Sequence, residues 1–296
     1  MNSLAFALLF TMALPSQKAV DVDALGQPVL PHCRVSLIEE AQVPGREAGL
    51  LVEMNVREGQ SVKAGETLGR IDDIKSAALK KVKEKELEAA VEQATNDVNV
   101  RFAVKARDVA VKEWQLVERA NKNTQGAVAQ IEVDKLRLNA QKADLQIEQA
   151  KFDMKVAKLT SEVKSAEVAA AEADIQLRQI NSPLDGVVVH VYKHVGEWVP
   201  PGDPVVHIVR IDRLRIEGFV NAAEYSPGDI VDRPVLVEAV LTRGRKVQFK
   251  GKIIFVSPQD QPGGEYLVWA DVENRQENGL WLLRPGATAT MTIQLK

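Results

Sequence analysis

The sequence predicts an elongated chain of mixed α and β class: a β domain cut in two by a long antiparallel helical hairpin, followed by a C-terminal β-barrel. Three observations carry this. A tract of more than a hundred residues contains no proline and one glycine, and two similar glycine-punctuated segments flank it. Beyond them, apolar strand-like runs alternate with turn signals to the C-terminus.

The chain opens on MNSLAFALLFTMALPSQKA, whose apolar stretch runs from Leu4 to Pro15. About 12 residues is too short to span a bilayer but suits the core of a secretory signal. Residues 1–19 are therefore expected to be a signal peptide cleaved after Ala19. The missing basic residue at the start and Gln17 near the cut leave a retained anchor as the alternative. No later segment is apolar enough to span, so further membrane association has to come through partners. Net charge is −3, which supplies no electrostatic reason to expect nucleic acid or an anionic membrane surface as partner. The one cysteine, Cys33, cannot form an internal disulfide and reads as an incidental thiol.

The long tract runs from Gly69 to Pro183, with Gly126 near its midpoint beside the polar run Asn121-Lys122-Asn123-Thr124-Gln125. It is dense in helix formers, and aromatic residues are scarce in the chain at 5%, which favours long helices over a bulky core. Two helices of equal length joined by a turn follow, at residues 74–179. In the second arm Leu136, Ala140, Ala143, Ile147, Ala150 and Met154 open a 4-3 spacing, and it continues through Ala157, Ser161, Lys164, Val168, Ala171, Ile175 and Arg178. That is a heptad seam in which alanines let a partner helix approach closely. The first arm reads less regularly. Val91, Ala94, Val98, Phe102, Ala106, Val109, Leu116 and Ala120 fit a period nearer 3.6 and are taken as its packing face. Arms of some 50 residues reach roughly 75 Å as an antiparallel coiled coil.

The flanking segments are GLLVEMNVREGQSVKAGETLGRI, residues 49–71, and GVVVHVYKHVGEWVPPGDPVVHI, residues 186–208. Glycines at 49, 59 and 65 match glycines at 186, 196 and 202, with identical spacing. Val62 matches Val199, and Leu68 matches Val205. Each copy alternates as a half-buried strand does, so the two are expected to pack on one another in a single domain.

This glycine spacing with its valines resembles half of a biotinyl/lipoyl-type domain. The run Ser182-Pro183-Leu184-Asp185-Gly186-Val187-Val188 resembles the start of the second half in membrane fusion proteins of the haemolysin-secretion (HlyD) type. In that family an inserted helical hairpin splits the two halves. Leu283-Arg284-Pro285-Gly286-Ala287 resembles the family's closing loop before its last barrel strand, so the resemblance covers about residues 35–295. It implies a barrel-sandwich hybrid domain from residues 35–73 and 180–210, the coiled-coil hairpin over 74–179, and a β-barrel over 211–296. Strand candidates in the barrel are Arg215–Val220, Val235–Leu241, Lys246–Val256, Tyr266–Val272 and Ala289–Leu295.

The resemblance also implies a role. Proteins of this family are periplasmic adaptors that couple an inner-membrane transporter to an outer-membrane channel, packing side by side into a homo-oligomeric ring. The hairpin tip, formed by Asn121, Lys122, Asn123, Thr124, Gln125, Gly126, Ala127, Val128 and Ala129, is then the candidate partner-binding surface. Drug-efflux adaptors carry Arg, three residues, Leu, six residues, Ser at the tip. Here those positions fall on Glu118, Lys122 and Ala129, so a usual efflux-channel contact is not expected.

Two other readings remain. One is a structural coiled-coil tether of the envelope with no transporter. The other is a biotinyl or lipoyl carrier, for which Lys75 stands where the modified lysine would be, although Ile74 and Ser76 replace the usual methionines and helix replaces the tight turn. Catalysis finds no support, for no phosphate-binding glycine loop or nucleophile motif is present. His190 and His194, four apart in a strand-and-turn segment, read as surface histidines, with a metal shared with an acidic neighbour as the other possibility. No cofactor is expected.

Overall fold

The computed structural model describes residues 26–124 and 128–295. The apolar segment read as a signal, residues 1–19, lies outside them. The described chain begins with β1 (Val29–Leu37) and then enters the first half of the repeat: β2 (Glu40–Pro44), β3 (Gly49–Met54), β4 (Ser61–Val62) and β5 (Thr67–Ile71). Three helices follow, α1 (Ile74–Thr95), α2 (Val98–Asn123) and α3 (Gln130–Leu177). The second half comprises β6 (Gln179–Asn181), β7 (Gly186–Val191), β8 (Trp198–Val199) and β9 (Pro204–Val209).

The two halves pack in one domain, as the matched spacing predicts, and they do so by exchanging strands. β3 pairs with β8 through Gly49↔Val199 and Leu50↔Trp198, and β4 pairs with β7 through Val62↔Gly186 and Ser61↔Val187. Adding 137 to a residue number in the first half gives its counterpart in the second, so each of these pairings is the mirror of another about a pseudo-twofold axis. The turns obey the same rule: the Gly59 amide donates to the Val188 carbonyl and the Gly196 amide to the Leu51 carbonyl, both at 2.8 Å. Gly59, Gly65, Gly196 and Gly202 all adopt φ between 82° and 94°, a conformation that L side chains rarely take. One core joins the halves, with Leu51, Leu68 and Ile71 from the first packed against Val188, Val205 and Ile208 from the second.

The hairpin inserted between β5 and β6 has arms of matched length, with 22 and 26 residues in α1 and α2 against 48 in α3. On α3 the predicted seam is the inward face. Ala140, Ala143, Ile147 and Ala171 are buried, most of the other seam positions are half-buried, and Met154 is more exposed. The first arm differs from expectation in two ways. It is interrupted at Asn96–Asp97, where the Asn96 Oδ1 accepts from the Val98 amide and the Thr95 hydroxyl donates back to the Val91 carbonyl. Short polar side chains here compete with the helix for backbone partners, which breaks it without glycine or proline.

The inward face of the first arm also differs. Val91, Val98, Phe102, Val109 and Leu116, expected to pack, are exposed, and Phe102 is 74% so. Ser76, Lys80, Lys83, Leu87, Ala90 and Ala94 turn inward on α1, and Ala103, Arg107, Ala110, Trp114 and Val117 on α2. Each set is a regular heptad, but the step across the break is one residue short of a full repeat. A single period drawn through both therefore lands on the wrong face.

Ion pairs lace the arms near their root. Lys83 Nζ lies 2.9 Å from Glu167 Oε2, Lys164 Nζ 2.9 Å from Glu86 Oε2, and Lys80 pairs with Glu172. Hydrogen bonds from Lys164 and Lys83 hold Glu86 and Glu167 below the ordinary carboxylate range. Their contribution is thus present at neutral pH and is lost as pH falls through the depressed values. These pairs are solvated, so salt screens them. The alanine seam is the stronger determinant. Ala143→Leu should overpack it and cost about 1–3 kcal/mol, whereas Ala170→Leu, on the exposed face, should stay within about 0.5 kcal/mol. Thermal unfolding followed at a helix wavelength measures both, and equal effects would displace the seam.

The C-terminal domain contains β10 (Arg213–Asn221), α4 (Pro227–Ile230), β11 (Pro234–Val240), β12 (Lys246–Gln261), β13 (Glu265–Glu273), a small hairpin of β14 (Gln276–Glu277) and β15 (Leu280–Trp281), and β16 (Thr288–Ile293). All five strand candidates are strands. The barrel, however, is six-stranded and closed in the order β1-β10-β13-β12-β11-β16. β1 supplies the sixth strand, pairing with β10 through Val35↔Ile216 and with β16 through Val29↔Thr292. A barrel confined to 211–296, and a sandwich beginning at residue 35, are corrected accordingly.

The signal for β1 is weak for physical reasons. Pro31 interrupts the run, and His32 adopts φ 60° in a bulge between Leu30 and Cys33. The bulge turns Cys33 inward against Gly218, where an added Cβ would lie 2.8 Å from its sulfur. Burial pushes the Cys33 thiol up to about 12, so it stays protonated as part of the core.

Candidate functional site

The hairpin tip lies at the far end of two long helices from the β domains, and its local sequence explains how it is shaped. α2 ends at Asn123, and the Thr124 amide still reaches the Ala120 carbonyl at 3.0 Å. The chain returns at Val128, whose amide donates to Asn121 Oδ1 at 3.1 Å, a bond that ties the two sides of the turn together. Ala129 adopts φ −61° and ψ 136° as the residue before α3, and its carbonyl accepts from the Glu132 amide at 2.9 Å.

Of the tip residues, Lys122, Asn123, Thr124 and Ala129 are exposed while Asn121 and Val128 are half-buried. Gln125, Gly126 and Ala127 lie outside the described residues. Lys122 Nζ sits 3.2 Å from Glu118 Oε1, one helical turn back. The two positions where an efflux-type tip would carry Arg and Leu thus hold an internal ion pair on a polar surface. The signature overlay does not pair these two residues, and their i,i+4 spacing is the sequence signal for the contact.

The alternative centres are placed as follows. Lys75 is exposed at the second residue of α1, on the hairpin's root rather than on a protruding turn. His190 Nδ1 lies 2.7 Å from Glu58 Oε1, and this bond holds the Glu58 carboxyl below its ordinary range. His194 Nδ1 faces Glu197 at 3.7 Å, and His207 Nε2 lies 3.1 Å from Glu40 Oε2. Each of these three histidines has its own carboxylate, and among the described residues no group of three or more His, Cys, Asp or Glu is arranged to hold a metal. No helix among the described residues is long and apolar enough to cross a membrane.

Arginines clasp the points where the chain passes between parts. At the hairpin root the Arg178 guanidinium donates to the Asp72 carbonyl at 3.1 Å, and the Ile71 amide donates to the Arg178 carbonyl at 2.9 Å. Between sandwich and barrel, Arg210 bonds Asp212 at 2.9 Å and Glu39 at 3.2 Å, joining the outgoing and returning strands.

Comparison with known proteins agrees with this architecture. MacA from Actinobacillus actinomycetemcomitans superposes with a TM-score of 0.60 at 20% identity, covering 90% of this chain and 79% of MacA. The membrane fusion protein Spr0693 from Streptococcus pneumoniae R6 gives 0.51 at 19% identity, covering 90% and 99%. The nickel-cobalt-cadmium resistance protein NccB of Alcaligenes xylosoxydans xylosoxydans is 23% identical over 209 residues, 70% of this chain and 45% of that protein. The chain thus spans about half the length of that curated relative. Residues 39–211 match the family profile described as "RND MFP, barrel-sandwich hybrid domain". With more than half its length inside that match, the chain belongs to the membrane fusion protein family.

Proposed function

We propose that the protein is a periplasmic adaptor, without catalytic chemistry of its own, that couples an inner-membrane transporter to an outer-membrane channel for efflux or secretion. The observation that carries this is the hairpin. A 48-residue helix extends about 72 Å from a sandwich domain whose two halves are cross-paired at its root. Such a rod gives reach and a firm base, which are the requirements of a spacer that joins two membranes' machinery. In this reading the β domains dock on the transporter, several copies form a ring of closed symmetry, and residues 121–129 meet the outer partner. The Glu118–Lys122 pair makes that tip contact polar, so the outer partner diverges from the usual efflux channels or belongs to another exporter type.

Site-directed cross-linking from Thr124 in whole cells is expected to capture an outer-membrane channel protein. Changing Lys122, Asn123 and Gln125 together to Ala should weaken that capture and lower export. Absence of any envelope protein in the cross-link, with export unimpaired in the triple variant, would remove the docking role from the tip.

A further inference from the structure

The small β14–β15 hairpin folds back at the barrel end nearest the sandwich, and its local chemistry fixes it there. Asn278 and Gly279 at its tip take φ 52° and 76°, the left-handed pair that a tight two-residue turn requires. Asn274 holds the base. Its Nδ2 donates to the carbonyls of Ile211 at 2.9 Å and Leu283 at 2.8 Å, and its Oδ1 accepts from the Leu283 amide at 3.0 Å. Leu283 is thereby buried as part of the barrel core. Arg275, just before β14, ties the hairpin to β12: Nη2 donates to the Gln248 carbonyl at 3.2 Å, and the guanidinium lies 5.4 Å from the centre of the Phe249 ring.

A cavity of about 410 Å³ remains between this hairpin, the end of β11 and the start of β16. That is the size of a small-molecule site, and its lining has the mixed character of one. Leu241, Leu280 and Trp281 supply an apolar wall, with Leu280 64% exposed at the rim. Arg245, Glu277 and Arg284 supply the charges. Arg245 Nη2 pairs with Glu277 Oε2 at 2.7 Å. Arg284 is exposed and makes no ion pair or side-chain hydrogen bond among the described residues. Two guanidiniums against one carboxylate leave the lining with a positive charge in excess. The unused one is a planar fork of donors suited to a carboxylate or sulfonate. Trp281 also lines a cleft of about 230 Å³ against Val62, Asp185 and Val187 of the sandwich. A ligand resting on Trp281 is thus one side chain away from the joint between the two β domains.

We propose that this cavity binds a small amphipathic anion, an organic acid whose charged group meets Arg284 while its apolar body lies against Leu241, Leu280 and Trp281. The apolar wall supplies affinity by leaving water, and the arginine selects the acid over a neutral molecule of the same shape. The site stands independently of the adaptor reading, and it is tested on the purified chain with no transporter present.

The test is a fluorescence titration with anilinonaphthalene sulfonate, a dye that brightens in apolar surroundings and carries one negative charge. Saturable binding is expected. Arg284→Glu and Leu280→Asp should each weaken it about tenfold or more, with circular dichroism unchanged because both positions are exposed. Phe102→Asp, on the exposed face of the long hairpin, should leave the titration as it is, which separates the cavity from other apolar surface. Phenylnaphthylamine, the same dye without its sulfonate, should bind about tenfold more weakly and be indifferent to Arg284→Glu. Decanoate and naphthoate then compete with the dye. Displacement by decanoate supports a lipid-derived acid as the natural ligand, and displacement by naphthoate an aromatic one. The proposal is overturned by any of four results: no saturable binding, wild-type affinity in Arg284→Glu or Leu280→Asp, equal affinity for the uncharged dye, or displacement by neither acid.

Discussion

A chain that begins at Glu39, where the family match begins, should not close its C-terminal barrel. β1 lies outside that match, yet it sits between β10 and β16 and hydrogen-bonds to both. Removing it strips one strand from a six-stranded ring and leaves two unpaired edges. It also uncovers the apolar inner face formed by Leu214, Ile216 and Met291, all fully buried in the intact protein. Amide hydrogen exchange is the measurement: strands β10 and β16 should lose their protection while the hairpin keeps its own. A milder variant keeps the point testable in a folded chain. Val35 is fully buried, and Val35→Ala should cost roughly 2 kcal/mol through lost transfer energy and a small cavity. Protection of β10 and β16 in the truncated chain equal to that of the intact protein would show that β1 is dispensable.

Gly186→Ala should be more damaging than Gly49→Ala, although the two glycines are symmetry counterparts. Both sit where strands cross closely, and a Cβ at either would approach a neighbour to 2.5 Å. At Gly49 that neighbour is Cγ2 of Ile71, a methyl on the branched carbon of a buried side chain, which can give only by turning about χ1. At Gly186 it is the backbone carbonyl of Val209, with Ile208 Cγ2 at 2.8 Å behind it. A side chain can turn away at an overpacking cost of about 1–3 kcal/mol. A carbonyl fixed in a sheet can move only with its strand, so Gly186→Ala should exceed about 3 kcal/mol or prevent folding. Denaturant midpoints of the two variants decide it, and a cost at Gly49 equal to or above that at Gly186 would count against this account of the strand crossing.

Much of this fold was legible because its signals are local and redundant. The repeat carries two glycines per copy at turns with positive φ and a third where strands cross closely, and α3 keeps one heptad phase from Leu136 to Arg178. The failures arose where a local signal was weak or interrupted. β1 contains Pro31 and a bulge at His32, so it reads as loop. The Asn96–Asp97 break shifts the heptad by one residue, and the larger residues Val98, Phe102 and Val109 then drew the face away from the small alanines that pack. Apolar size was a poor guide there, since close helix approach selects alanine inward and leaves the bulky residues outside. The tip was legible as polar and turn-like, while the bond from Val128 to Asn121 required the three-dimensional arrangement.

The order of the chain has a consequence for how it comes to be folded. The sandwich is inserted between the first and second strands of the barrel sheet, and the hairpin is inserted within the sandwich. The hairpin draws on contacts within one helical excursion and closes at the least entropic cost. Once it forms, Ile71 and Arg178 are neighbours, and the two sandwich halves meet as if joined by a short loop. Once the sandwich closes, the Glu39–Arg210 clasp brings β1 beside β10 in the same way. Barrel closure follows both, because among the six barrel strands β1 is made first and β16 last. During synthesis, therefore, Leu30, Cys33 and Val35 remain without their native cover until β16 has been made. This interval, when β1 is an exposed apolar strand, is the stage at which the protein is most open to aggregation and most in need of a chaperone.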